Sequence, residues 1–103
     1  MNDAYVLRYL ELFQQNLIEV TSYIKKELKN PTAARKLAND VEHAILRRLP
    51  NPTAFEPYYS MKKRKHQYYR IYVGNYTIYY VVIGNIMEVR RLIYMGRDQE
   101  SIL

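Results

Sequence analysis

The sequence predicts an α+β fold, a single domain over 1–103 with the order β-α-α-β-β-β, in which a helical hairpin packs on a twisted antiparallel sheet. Three observations predict it. Apolar residues recur every three or four positions between 13 and 49, residues 68–95 are rich in tyrosine and β-branched side chains, and Gly-Asn pairs break that second region at 74–75 and 84–85. The first pattern is the period of a helix with one buried face, and the second is the composition of strands joined by tight turns. A chain of 103 residues builds one core, so the helical stripe and one face of the sheet must cover each other.

The elements follow in order. Residues 4–8 alternate Tyr5 and Leu7 against Val6 and Arg8, which suits a short first strand. Over 9–29, Phe13, Leu17, Val20, Ile24 and Leu28 are spaced by four, three, four and four, so they share a helix face. Asn30-Pro31 then offers an N-cap and a first-turn proline. Ala34, Leu37, Val41, Ile45 and Leu49 continue the period in a second helix that stops before Pro50. Pro50, Asn51, Pro52 and Pro57 make 50–60 an irregular connection, and the charged run 62–66 reads as exposed loop. Strands over 68–73, 76–83 and 86–95 form an antiparallel meander through the two Gly-Asn turns. Nine of the 12 tyrosines fall between 58 and 94, where rings can be buried while hydroxyls find polar partners. Gly96 ends the last strand, and the tail 97–103 leaves Ile102 and Leu103 available for docking.

Composition narrows the chemistry. Hydrophobic residues make up 49% and charged residues 25%, as in a folded globular domain. No apolar run approaches the roughly 20 residues that span a bilayer, and the first residues show neither the basic nor the apolar region of a secretion signal, so a cytoplasmic protein is expected. With no cysteine there is no disulfide, thiolate metal site or cysteine nucleophile, and no cofactor or metal is expected. The net charge of +6 is lopsided: residues 1–61 carry eight Lys/Arg against seven Asp/Glu, whereas 62–97 carry eight against Glu88 alone. A positive field of that kind draws nucleic acid or an acidic protein.

Several runs, taken in order, resemble the RelE/ParE superfamily of toxins from toxin–antitoxin pairs. They are Tyr69-Arg70-Ile71-Tyr72-Val73-Gly74-Asn75-Tyr76 with Ile78-Tyr79-Tyr80, then Arg91-Leu92-Ile93-Tyr94-Met95-Gly96-Arg97-Asp98, and the inter-helix turn Asn30-Pro31 with Ala33-Ala34. The resemblance spans nearly the whole chain. It implies an antitoxin encoded by the neighbouring gene and one of two activities. RelE-type members enter the ribosome and cleave mRNA, and the sequence is read first as such a ribosome-dependent endoribonuclease. The alternative is a ParE-type protein that binds DNA gyrase and has no established nuclease activity.

Metal-free RNA cleavage by 2′-hydroxyl attack needs a proton acceptor, a cation for the phosphorane and an acid for the leaving oxygen. On the resemblance, Arg70, Arg97 and Tyr94 are the catalytic candidates. Arg70 would otherwise be a charge on a solvent-facing sheet, Arg97 an ion-pair partner of Asp98 or Glu100, and Tyr94 a buried ring. Lys62, Lys63, Arg64, Lys65 and His66 are the candidate RNA contacts, since phosphate backbone asks for charge more than geometry; such a run is more often a solvated loop. His43 lies between Val41 and Ile45 and reads as helical surface. Strand alternation puts Arg90 and Arg91 on opposite faces, so one of them at most can share a face with Arg70. Two departures from the family's nucleases stand out: Thr77 occupies a place where they commonly carry arginine, and 98–103 contain neither Tyr nor His.

Overall fold

A computed structural model describes residues 4–103. The chain forms β1 (Val6–Tyr9), α1 (Glu11–Lys26), α2 (Pro31–Arg48), β2 (Pro57–Tyr58), β3 (Tyr68–Val73), β4 (Tyr76–Ile83), β5 (Ile86–Tyr94) and α3 (Gln99–Ile102). The five strands make one sheet in the order β1-β5-β4-β3-β2. Among the described residues no helix is long and apolar enough to cross a membrane.

Local chemistry sets the helix boundaries. Leu10 is extended and its amide bonds to the Val89 carbonyl at 3.0 Å, so the chain is still tied to the sheet and α1 starts one residue later. At the other end Lys29 adopts a left-handed φ of 52°, and the Asn30 amide reaches back to the Ile24 carbonyl at 3.0 Å. That closure leaves Leu28 outside the helix and exposed rather than in the apolar stripe. Asn30 caps α2 as its sequence predicts, Oδ1 accepting from the Ala33 amide at 3.0 Å ahead of Pro31.

The sheet is mixed, and this differs from the all-antiparallel expectation. β3, β4 and β5 form the expected antiparallel meander, with Gly74 and Gly84 supplying the positive φ (56° and 61°) at the first position of each two-residue turn. β1, however, pairs parallel with β5, Val6 opposite Ile86 and Tyr9 opposite Val89. Both helices and β2, β3 and β4 lie between β1 and β5 in the chain, so no tight turn fixes their direction and the first strand can lie parallel to the last. Pro57 and Tyr58, in a segment expected to be irregular, pair with Tyr69 and Tyr68 as a minimal edge strand, where a proline costs no internal ladder bond.

The two faces have separate cores. Phe13, Val41, Ala44 and Ile45 from the helices meet Ile71, Ile78, Tyr80, Met87, Val89 and Leu92 from the sheet. On the opposite face Tyr68, Tyr79, Val81 and Ile93 form a smaller cluster, and Ile102 and Leu103 of the tail pack against it together with Tyr58. Arg48 ties the irregular connection down. Its Nη1 donates to the Arg70 carbonyl at 3.1 Å and to the Tyr80 hydroxyl at 2.8 Å, and its guanidinium lies 3.5 Å from the centroid of the Phe55 ring.

Candidate functional site

Register lays out the face turned away from the helices, because opposed residues of an antiparallel pair share a face. Arg70, Tyr79 and Arg91 form one row across β3, β4 and β5. Tyr72, Thr77 and Ile93 form the next. The Arg70 guanidinium lies 4.9 Å from the Tyr58 ring centroid and 5.7 Å from that of Tyr72. Among the described residues no carboxylate pairs with it. Tyr79 beside it is buried, donates its hydroxyl to Gln99 Oε1 at 2.7 Å, and is pushed up to about 12 by that burial, so it stays protonated at neutral pH.

β4 is the central strand, and it separates Arg70 on β3 from β5 and its exit. Arg97 is exposed and lines a cavity of about 250 Å³ with Asn16, Glu19, Arg91 and Tyr94. Tyr94 opposes Tyr76, whose ring packs with the helix-side core, and the two rings meet edge-on at 5.7 Å. The structure therefore brings Tyr94 and Arg97 together around one cavity at the end of β5 and leaves Arg70 two strands away against Tyr58, on the face opposite to that of Tyr94. Arg97 pairs with neither of its nearby acids: the Asp98 carboxylate faces the Ser101 amide, and Glu100 reaches across to the loop before β3.

Alternation fails at one place on β5. Tyr79 opposes Arg91 but Tyr80 opposes Val89, so Arg90 is an extra residue in a β-bulge. Both arginines consequently stand on the open face. Arg90 Nε donates to Glu88 Oε1 at 2.8 Å and its guanidinium lies 5.9 Å from the Tyr68 ring centroid, while Arg91 donates to Asn16 Oδ1 at 3.0 Å and to the Ile102 carbonyl at 2.7 Å. Glu88 is only 4% exposed. Burial pushes its carboxyl up, but the hydrogen bonds from Arg8 and Arg90 outweigh burial and hold it below the ordinary carboxylate range.

The basic run divides in the same manner. Lys62, Lys63 and Lys65 are exposed, whereas Arg64 is largely enclosed: its Nε donates to Ser60 Oγ at 2.8 Å and its Nη2 lies 3.7 Å from Glu100 Oε2. Lys62, Arg64, Lys65 and His66 line an open cleft of about 340 Å³ with Tyr58, Tyr59, Ser60 and Tyr68. Of the eight cations in 62–97, Arg64 and Arg90 are thus matched by carboxylates, and the field comes from Lys62, Lys63, Lys65, Arg70, Arg91 and Arg97. The residue that sequence reasoning missed is Glu100. Its only early signal was being one of two acids in a tail that follows a strongly basic segment.

Among the described residues no three His, Asp or Glu side chains gather as metal ligands. A family model described as the ParE toxin of the type II toxin–antitoxin system parDE matches residues 7–99. No curated protein matches the chain in sequence. Of solved structures, the chromosomal ParDE TA system from P. aeruginosa superposes with a TM-score of 0.68 at 13% identity, covering 89% of this chain and 97% of that one. The RelB-RelE antitoxin-toxin complex from Methanococcus jannaschii gives a TM-score of 0.47 at 24% identity, covering 86% of this chain and 91% of that one. With a ParDE chain sharing its fold and a family model matching it from β1 to the start of α3, the chain belongs to the ParE toxin family of type II toxin–antitoxin systems, within the RelE/ParE superfamily.

Proposed function

We propose that the protein arrests growth by binding DNA gyrase rather than by cutting mRNA, and that a cognate antitoxin holds it inactive. The observation that carries this reading is that Arg70 and Tyr94 face opposite sides of the sheet, with β4 between Arg70 and the strand that leads to Arg97. A metal-free ribonuclease needs its acid, base and phosphate-stabilising cation around one phosphate, each within hydrogen-bond reach. Here Arg70 sits against Tyr58 on the open face and Tyr94 stands on the helix side. Thr77, in the row next to Arg70, contributes no charge where a second arginine would. The match to the ParE branch supports the same reading, because ParE-type members of the superfamily are the gyrase binders.

An antitoxin fits the apolar groove of about 290 Å³ between the helices, lined by Tyr9, Phe13, Leu17, Val41 and Ile45. Val6, Leu12 and Ile18 are further exposed apolar side chains of β1 and α1. An acidic amphipathic segment would cover this surface and quench the positive field as well. The test is a pair of assays on toxin freed from its antitoxin: gyrase supercoiling and translation-coupled mRNA cleavage. Inhibited supercoiling with intact mRNA is the expected result. Cleaved mRNA with normal supercoiling overturns the reading in favour of the ribosome and mRNA as targets.

A further inference from the structure

Glu100 is held by more donors than any other side chain described. Tyr58 Oη donates to Oε2 at 2.9 Å, Ser60 Oγ donates to both oxygens, and the amides of Met61 and Lys62 donate to Oε1 at 2.7 and 3.1 Å. Arg64 Nη2 lies 3.7 Å from Oε2, is itself buried, and has no hydrogen-bond partner. The Ser60 hydroxyl leads the effects that hold the Glu100 carboxyl down at about 2. Successive backbone amides, hydroxyls and a guanidinium converging on one point make an anion receptor, a donor set that suits phosphate as well as carboxylate.

The present occupant keeps its place through these contacts and not through any stability of its own element. It sits on a four-residue helix, far too short to persist without its contacts. That helix is joined to β5 through exposed residues 95–97. Its other anchors are Tyr79 to Gln99, the packing of Ile102 and Leu103, and Arg91 to the Ile102 carbonyl. The receptor opens beside the cleft that Lys62, Lys65 and His66 line, and Tyr59 stands there 70% exposed. Lysines beside a phosphate site and an accessible ring for a base are the parts of a single-strand nucleic-acid contact.

We propose that the turn from Ser60 to Arg64 is a phosphate receptor closed by the chain's own Glu100, and that a phosphate of a nucleic-acid strand takes the carboxylate's place when α3 swings away. A phosphate oxygen would also give Arg64 Nη2 the partner it lacks. The inference is independent of the gyrase reading, since either can fail alone.

The test measures anisotropy of labelled dT and rU oligonucleotides at constant ionic strength, with inorganic phosphate as competitor. Glu100→Ala should bind about tenfold tighter than the parent, the worth of one charge-assisted hydrogen bond. Glu27→Ala, which changes net charge equally on the helical side, should not. Adding Arg64→Ala to Glu100→Ala should abolish the gain. Equal affinity of Glu100→Ala and parent, a gain that survives Arg64→Ala, or binding of inorganic phosphate alone overturns the proposal. Should Glu100→Ala fail to fold, amide exchange of the parent gives the answer. Oligonucleotide should speed exchange at Ile102 and Leu103, and unchanged exchange there overturns the proposal too.

Discussion

Arg90 and Arg91 are consecutive in β5 yet stand on the same face of the sheet, one bound to Glu88 and the other to the carbonyl of Ile102. The bulge between the Tyr79 and Tyr80 pairings produces this, and it gives the two arginines different tasks. Arg90 neutralises a buried carboxylate beneath the sheet surface, and Arg91 fastens the tail.

Arg90→Ala should lower stability by about 1–3 kcal/mol, because Glu88 keeps only Arg8 as a cationic partner while remaining buried. Arg91→Ala should leave the global urea midpoint closer to that of the parent and instead speed amide exchange in 98–103. Urea titration of both variants, with exchange measured on the second, checks the division. A larger midpoint shift for Arg91→Ala would reverse it.

Acid should release the tail before it unfolds the domain. The Glu100 carboxyl is depressed from 4.5 to about 2 in the folded chain, so its contribution is fully present above pH 4.5 and is lost as pH falls toward 2. Resonances of Ile102 and Leu103 followed between pH 5 and about 2 should shift with that carboxyl's titration. In Glu100→Gln the step should vanish, and its persistence would assign the release to another group.

Tyr94→Phe should arrest growth as strongly as the parent. As a general acid or base, Tyr94 would be worth about 10²–10⁴-fold in rate. As a ring against Tyr76 it loses only a hydroxyl that is bound to nothing described. Dilution plating after induction separates the two, and loss of arrest in a folded Tyr94→Phe chain would restore a catalytic role.

Lys29→Gly should raise stability by about 0.5–1 kcal/mol. The left-handed φ of 52° between α1 and α2 costs an L side chain energy that glycine avoids, and Asn30 would keep its cap on Ala33. Thermal unfolding measures it. A lower melting temperature would mean that Lys29 stabilises this turn through its side chain.

Periodicity, capping residues and turn glycines act over a few positions, so the sequence by itself determined α1, α2, their Asn30-Pro31 junction and the β3-β4-β5 meander with its two Gly-Asn turns. The family was legible for the same reason: its marks are short runs in order, from Tyr69 to Tyr80 and from Arg91 to Asp98. Parallel pairing of β1 with β5 was not legible, because backbone pairing across some 80 residues leaves no local pattern. Nor was the bulge at Arg90, which is a misfit between two strands and belongs to neither sequence alone. Tertiary structure also decided the candidate site. Spacing places Arg70 on one strand and Tyr94 on another, but only register says that they face opposite ways. Only the docking of the tail reveals that Glu100, a plain acid in an exposed tail by sequence, closes the one turn where hydroxyls, amides and Arg64 converge, since that convergence joins residues about 40 positions apart.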